Sequence, residues 1–363
     1  MATHEKLARI LKSFQIAGTL NEVRPFGSGH INLSFLASFE NQGRLEKYLL
    51  QRINSSVFQN VPALMKNIEL VSAHLQKKPD FILRTLRIVP TLDGSTYCHT
   101  DAEYWRVFDF IDNVKSYDRT PNAHVAREAA LGCAQFQLGI LDIPVQLLTA
   151  AIPNFQDVSR RLLTLERSAN EDLCGRARAV KTELKFLRDR APYASGLASA
   201  IQAGGIPIRP VHADLKINNI LFDAQSGEAS CIVDWDTLMP GTIAYDFGDF
   251  ARSSCLAADE DERDLSKVKF DLQIFEAITD GYLGRLASEI TSAEIATLSD
   301  APKIIALSLA SRFLSDHIDG DKYFPIEREN HNLDRAEVQI KLLEDMERHA
   351  VEMTDIVQKF RRA

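Results

Sequence analysis

The chain has 363 residues, 45% of them hydrophobic and 25% charged, and its 42 basic and 50 acidic side chains give a formal charge of −8. At roughly 150 residues per domain that length suits about two domains, each able to bury its own core. The balance excludes a disordered polyelectrolyte, and an acidic chain is a poor match to a nucleic-acid backbone as main partner.

The five cysteines, Cys98, Cys133, Cys174, Cys231 and Cys255, are scattered without a C-x-x-C pair. Buried free thiols are therefore expected, rather than a zinc knot or a disulfide framework. The first ten residues are charged, which fits no secretory signal. No run reaches the roughly 18 apolar residues that cross a bilayer. A cytoplasmic protein with no membrane partner is expected.

The opening segment spaces Leu7, Ile10, Leu11 and Phe14 as one helical stripe and stops at Gly18. Three β-like runs follow, Val23 to Phe26, Leu33 to Phe39 and Lys47 to Ile53, with turns at Gly27-Ser28-Gly29 and Asn41-Gln42-Gly43. A helix comes next, with Asn60 as N-cap, Pro62 in the first turn and Leu64, Met65, Ile68 and Leu75 on one face. Two more strands are predicted near Thr85 to Val89 and Tyr104 to Ile111, separated by a turn at Asp93-Gly94. The first part is thus a five-strand antiparallel sheet with one helix after its third strand.

Near Asp112–Pro121 the composition changes, and the charged Asp112, Lys115 and Asp118 suit an exposed connector. Residues 122–203 read as helical. A β insert follows at Ile208 to His212, Ile220 to Phe222 and Cys231 to Asp234, and helical periodicity returns from Ser266 to the end. The expected fold class is α+β, with an N-terminal unit 1–111, a linker 112–121 and a helical unit 122–363.

The segment RPVHADLKINNILFDAQSGEASCIVDWDTLMPGTIAYDFGDF, residues 209–250, carries the chemistry. Phosphoryl transfer from ATP needs a carboxylate at the acceptor hydroxyl and oxygen ligands for Mg²⁺, with positioning more than covalent chemistry. His212-x-Asp214 is followed five residues on by Asn219 and twenty on by Asp234. Asp214 is the candidate base. Asn219 and Asp234 are hard ligands of the kind Mg²⁺ takes. A hairpin between them returns the chain beside its start, so the two can become neighbours. Each residue alone is ordinary; the set is not.

This segment resembles the aminoglycoside phosphotransferase and choline kinase superfamily, whose fold is similar to that of protein kinases. The resemblance implies a bilobal kinase using ATP and Mg²⁺, with Asp214 as catalytic base and Asn219 and Asp234 as metal ligands. Asp246 resembles the aspartate that holds the catalytic-loop backbone, and His212 would share that supporting role. Further segments look closer to one group, the N-acetylhexosamine 1-kinases: Gly27-Ser28-Gly29-His30-Ile31-Asn32, Tyr48 to Asn54, Trp105 to Phe108, Asp236 to Gly241, and Arg312-Phe313-Leu314 through Gly320 to Phe324. That likeness implies a sugar acceptor, with His30, Asp214, Arg312 and Tyr323 at the sugar. Gly27, Ser28 and Gly29 would cradle phosphates through their backbone, although Asn32 stands where a third glycine is usual. Phe110 and Ile111 would offer backbone and an apolar face to adenine.

The third strand departs from the common kinase pattern. It carries Gln51-Arg52 where a phosphate-holding Lys is expected, and strand alternation lets only one of them face the nucleotide. Glu69 sits where the partner glutamate would be, and Asp236 is a secondary candidate for metal or sugar. Alternatives are a kinase of choline, homoserine, methylthioribose or an aminoglycoside, for which the run Asp259-Glu260-Asp261-Glu262 offers acidic groups, and a non-catalytic kinase-like binding module. A metal hydrolase is disfavoured because none of the nine histidines forms H-x-x-x-H or H-E-x-x-H.

Overall fold

The computed structural model describes residues 4–27 and 31–360. Helix α1 (His4–Leu11) buries Leu7, Ile10 and Leu11, and Phe14 beyond it bridges to Thr91. The helix covers one face of an antiparallel sheet of β1 (Thr19–Pro25), β2 (Leu33–Asn41), β3 (Arg44–Ile53), β4 (Ile88–Val89), β5 (Cys98–Thr100) and β6 (Glu103–Asp109). The order is β1-β2-β3-β6-β4, with β5 paired to β6. The sheet therefore has six strands rather than five. The unforeseen β5 turns into β6 through Asp101 and Ala102, both at positive φ, a tight hairpin turn without the glycine that usually signals it. The strand expected from Thr85 shrinks to Ile88–Val89.

Between β3 and β4 runs α2 (Val61–Leu75). Asn60 caps it by accepting the Ala63 N–H at 3.1 Å. Its buried face, Leu64, Met65, Ile68, Val71 and Leu75, belongs to the core of the helical part, whereas α1 and the outer sheet face form a second, smaller core.

Residues 112–121 are more than a connector. Asp112, Lys115 and Asp118 are exposed, but β7 (Val114–Lys115) pairs with the hairpin of β9 (Ile220–Asp223) and β10 (Ala229–Ile232). The helical part comprises α3 (Ala123–Ile140), α4 (Val158–Glu171), α5 (Lys181–Asp189), α6 (Ala191–Gln202), α7 (Ile243–Ser254), α8 (Leu272–Leu286), α9 (Ser292–Thr297), α10 (Ala301–Ile318), α11 (His331–Arg348) and α12 (Ala350–Gln358). A further pair of strands, β8 (Arg209–Val211) and β11 (Met239–Gly241), lies within it. The charged C-terminal stretch is thus two helices that break at His349. Cys133, Cys231 and Cys255 are buried, but Cys174 is exposed, since it lies in the loop after the left-handed Asp172 that ends α4. All five thiols are free. Among the described residues no helix is long and apolar enough to cross a membrane.

Candidate active site

The site is built on the loop that leaves β8. Ala213 has φ 68°, a left-handed conformation unfavourable for a residue with a Cβ. Asp246, on the first turn of α7, holds this bend: its two carboxylate oxygens accept the N–H groups of His212 and Ala213, each at 2.7 Å. Burial pushes the Asp246 carboxyl up to about 7, although both backbone donors favour its anion. His212 is fully buried; its Nε2 is 2.9 Å from the Val233 carbonyl and its Nδ1 faces the Asp214 N–H at 3.3 Å. That pattern puts the proton on Nε2 and leaves Nδ1 as acceptor. Burial lowers the His212 pKa and keeps the ring neutral.

Asp214 follows at once. Burial alone would raise its pKa, but the Lys216 ammonium, 2.6 Å away, holds it below the usual carboxylate range. Asp214 therefore presents an anion to the cleft. Lys216 is a functional candidate that the sequence analysis passed over, although it lies two residues from Asp214.

The loop then makes a short 3-10 turn to Asn219. The Asn219 side-chain nitrogen donates to the Asp214 backbone carbonyl at 2.8 Å, and the Asn219 backbone carbonyl accepts the Val233 N–H at 2.9 Å. Pairing of Ile220 with Ile232 closes the β9–β10 hairpin and brings the chain back beside Asn219, so Asp234 comes next in register. Asp234 is left-handed, at φ 63°. Its carboxyl is pushed up to about 7 by the surrounding protein and by the negative Asp236 and Asp214. Asp214, Asn219 and Asp234 thus gather in one loop cluster. A divalent cation fits this donor set. The Asn219 nitrogen is engaged, leaving Oδ1 as its ligating atom, and the crowded carboxylates call for a positive charge. Among the described residues there is no group of three or more His, Cys, Asp or Glu side chains able to hold a metal. Two protein ligands are what a phosphate-bound Mg²⁺ takes.

The sheet supplies the roof. Gln51 and Arg106 are cross-strand partners, and Gln51 Oε1 accepts the Arg106 Nε–H at 3.0 Å. Arg106 Nη1 and Nη2 reach Asp236 Oδ1 and Oδ2 at 2.5 and 2.9 Å, and both side chains are only 2% exposed. Asn32 adds a third donor to Asp236, at 2.6 Å. Arg52, the other candidate for the phosphates, is corrected: alternation turns it to the opposite face, where it pairs with Glu103 at 2.8 Å. Glu69 is exposed, and the inward residue of α2 is Asn67, which bonds the Leu238 and Thr149 carbonyls and the Thr149 N–H. Gly27 has φ 77°, which suits a glycine. Ser28, Gly29 and His30 lie outside the described residues. Phe110 stacks edge-on with Phe26 at 5.3 Å, and its N–H is already used by the Lys47 carbonyl. Ile111 follows it, half-buried.

Below the catalytic loop, Phe155 packs against Val211, Ala213 and Met239. The Arg312 guanidinium lies over the rings of Phe155, Tyr323 and Phe324, at 6.0, 5.8 and 5.1 Å. Tyr323 is exposed, in a loop whose backbone is held by Asp316 through the N–H groups of Lys322, Tyr323 and Phe324. Arg161 of α4 joins this group. It donates to the Phe155 carbonyl, while burial and the neighbouring Arg312 lower its pKa. Among the described residues neither guanidinium has a carboxylate partner in contact, and Arg161 Nε is buried with no partner at all. The sequence hid Arg161 in an ordinary amphipathic helix. The acidic run is spoken for: Asp259 pairs with Arg119, Asp261 with Arg328 and His331, Glu262 with Lys267, and Glu260 approaches Arg252.

Residues 22–270 match the model of the phosphotransferase enzyme family, APH. The chain belongs to this family. Solved structures with the same fold include an aminoglycoside phosphotransferase from Alicyclobacillus acidocaldarius subsp. acidocaldarius DSM 446, at TM-score 0.65 and 16% identity, covering 97% of this chain and 96% of that one. A choline kinase from Cryptosporidium parvum Iowa II matches at TM-score 0.60 and 13% identity, over 96% and 97%. Spectinomycin phosphotransferase APH(9)-Ia, solved with ADP and spectinomycin, matches at 0.56 and 12%, over 94% and 98%. The α+β architecture expected from the sequence, an antiparallel sheet followed by a helical part, is that of these phosphotransferases, and the chain is a small-molecule kinase of their family.

Proposed function

We propose that this phosphotransferase moves the γ-phosphoryl group of ATP onto the anomeric hydroxyl of an N-acetylhexosamine, GlcNAc or GalNAc, giving the sugar 1-phosphate and ADP. The observation that carries the choice of acceptor is the neighbouring guanidiniums of Arg161 and Arg312, beside aromatic side chains and the catalytic loop, with no carboxylate in ion-pair contact among the described residues. Guanidinium donors suit carbonyl and hydroxyl oxygens, and aromatic faces suit the apolar face of a sugar ring. A cationic amine would be repelled there. The carboxylates of the acidic run already pair with Arg119, Arg328 and Lys267.

In this reading Asp214 accepts the proton of the attacking hydroxyl as the new O–P bond forms and the bond to the β-phosphate breaks. Its low basicity suits a loose transition state, in which the acceptor needs orientation more than deprotonation. Lys216, paired with Asp214, would lend positive charge to the transferring phosphoryl group. Asn219 and Asp234 would hold Mg²⁺, which when bound neutralises charge on the transferring phosphates. Gly27, Ser28 and Gly29 would face the phosphates, with Phe110 and Ile111 at the adenine, and His30, Arg312 and Tyr323 would hold the sugar.

The test is phosphorus NMR of reactions with GlcNAc, GalNAc, glucose, choline, ethanolamine and an aminoglycoside. The expected product is an α-linked sugar 1-phosphate from an N-acetylhexosamine. Turnover confined to an amine-bearing acceptor would reject the sugar assignment, and nucleotide binding without transfer to any acceptor would favour a non-catalytic module.

A further inference from the structure

The third strand lacks the expected lysine, and the structure puts another cation on the same face one strand away. Gln51, standing at the lysine position, accepts from Arg106 Nε directly across the ladder and donates to Ser34 Oγ at 3.0 Å, so a polar row crosses β2, β3 and β6. The guanidinium emerges from this row against Met65 and the Phe108 ring and meets Asp236 with both of its terminal nitrogens. Asn32, in the turn after the glycines, bonds the same carboxylate, and its Oδ1 takes the Asn54 N–H at 3.0 Å. Two separate parts of the sheet region, β6 through Arg106 and the approach to β2 through Asn32, thus converge on one aspartate, which lies two residues beyond Asp234.

A buried ion pair is a poor means of gaining stability, because desolvation of both charges rivals their attraction and an apolar pair would fill the space as well. A fork-to-carboxylate contact does fix orientation. We infer that Arg106 is the positioning residue that takes over from the missing lysine: by gripping Asp236, which also holds Asn32, it fixes the direction of the Asp234 carboxylate, ready for a nucleotide-borne divalent cation. This rests on the phosphotransfer reading but not on the identity of the acceptor. Arg106 acts through Asp236 and has no direct role in bond making.

The test is calorimetric titration of ADP, with and without Mg²⁺, into wild type and the charge-neutral pair Arg106→Gln/Asp236→Asn, alongside thermal unfolding. The pair variant is expected to bind metal-free ADP as wild type does, and to lose roughly tenfold or more of the affinity that Mg²⁺ adds, the scale seen when a residue supporting a metal ligand is removed. A structural pair would lower the unfolding temperature and leave that Mg²⁺ increment alone, which would overturn the inference. Should the pair variant not fold, Arg106→Lys keeps the charge and loses the fork. A reduced Mg²⁺ increment in it supports the inference, and a wild-type increment overturns it. Wild type that gains no ADP affinity from Mg²⁺ would instead defeat the phosphotransfer reading itself, and the role of Arg106 with it.

Discussion

Lys216 Nζ lies 2.6 Å from Asp214 Oδ1, an ion pair at the centre of the catalytic loop. Because Lys216 depresses the Asp214 pKa, the acid limb of the kcat/KM profile at saturating Mg²⁺, which holds Asp234 as its anion, should fall below the ordinary carboxylate range. Lys216→Met removes that support, so Asp214 will protonate at higher pH and the acid limb will move upward. Asp214→Asn should cut kcat by roughly 10²–10⁴ at all pH values. Profiles of the three proteins check this; an unmoved limb in Lys216→Met would contradict the pairing in solution.

Arg161 and Arg312 should act on acceptor binding. A hydrogen bond from a charged donor is worth about 1.5–3 kcal/mol, so Arg312→Ala should raise the sugar KM by roughly 10–100-fold with a smaller change in kcat. Arg161→Leu should raise it less, since one of its terminal nitrogens is already engaged by the Phe155 carbonyl. Neither should change the KM for ATP. Initial rates with sugar and nucleotide varied separately decide the matter.

His212 links stability to pH. Its folded pKa is depressed by burial, so below about 6.5 the unfolded chain takes up a proton that the folded chain refuses. Its contribution is therefore lost as pH falls, at up to about 1.4 kcal/mol per pH unit. Asp246 and Asp234, raised to about 7, bend the curve the other way, because their folded forms hold protons that the unfolded carboxylates release. The measurement is accordingly a difference. Urea unfolding at pH 7.0 and 5.5 should show wild type losing more stability on acidification than His212→Gln does.

Gly248 of α7 sits against α10. A Cβ there would lie 2.7 Å from the Ala301 carbonyl oxygen, which is backbone and cannot step aside. Gly248→Ala should cost about 1–3 kcal/mol, as overpacking does, and because α7 carries Asp246 it should lower kcat as well. Thermal unfolding and turnover of the variant test both effects.

The catalytic segment was legible because hairpin geometry converts a fixed spacing into proximity. Asn219 and Asp234 are brought alongside each other by the register of two short strands, and Asp246 needed only the helix that follows. The start of the α1 stripe and the cap and stripe of α2 were equally plain, since each depends on neighbours a few residues away, although α1 ends at Leu11, well before Gly18. What escaped depends on distant pairing. Arg106 meets Asp236 across 130 positions, and nothing in a strand reading Trp-Arg-Val-Phe tells a buried cation from a surface one. Arg161 becomes notable only when α4 is set beside Arg312. The face taken by Arg52 was open until the register of β3 on β6 was known. Cys174 was misjudged because burial of a loop thiol follows from tertiary packing that composition does not report.

Helix α2 is clamped from two sides. Leu75 meets the α3 backbone at Gly139, and Asn67 is locked to the segment around Leu238 and to Thr149. Its apolar face is continuous with the helical core and separate from the sheet's smaller one. A helix secured in this manner is fastened to the helical part, so displacing it would break the Asn67 hydrogen bonds to Leu238 and Thr149.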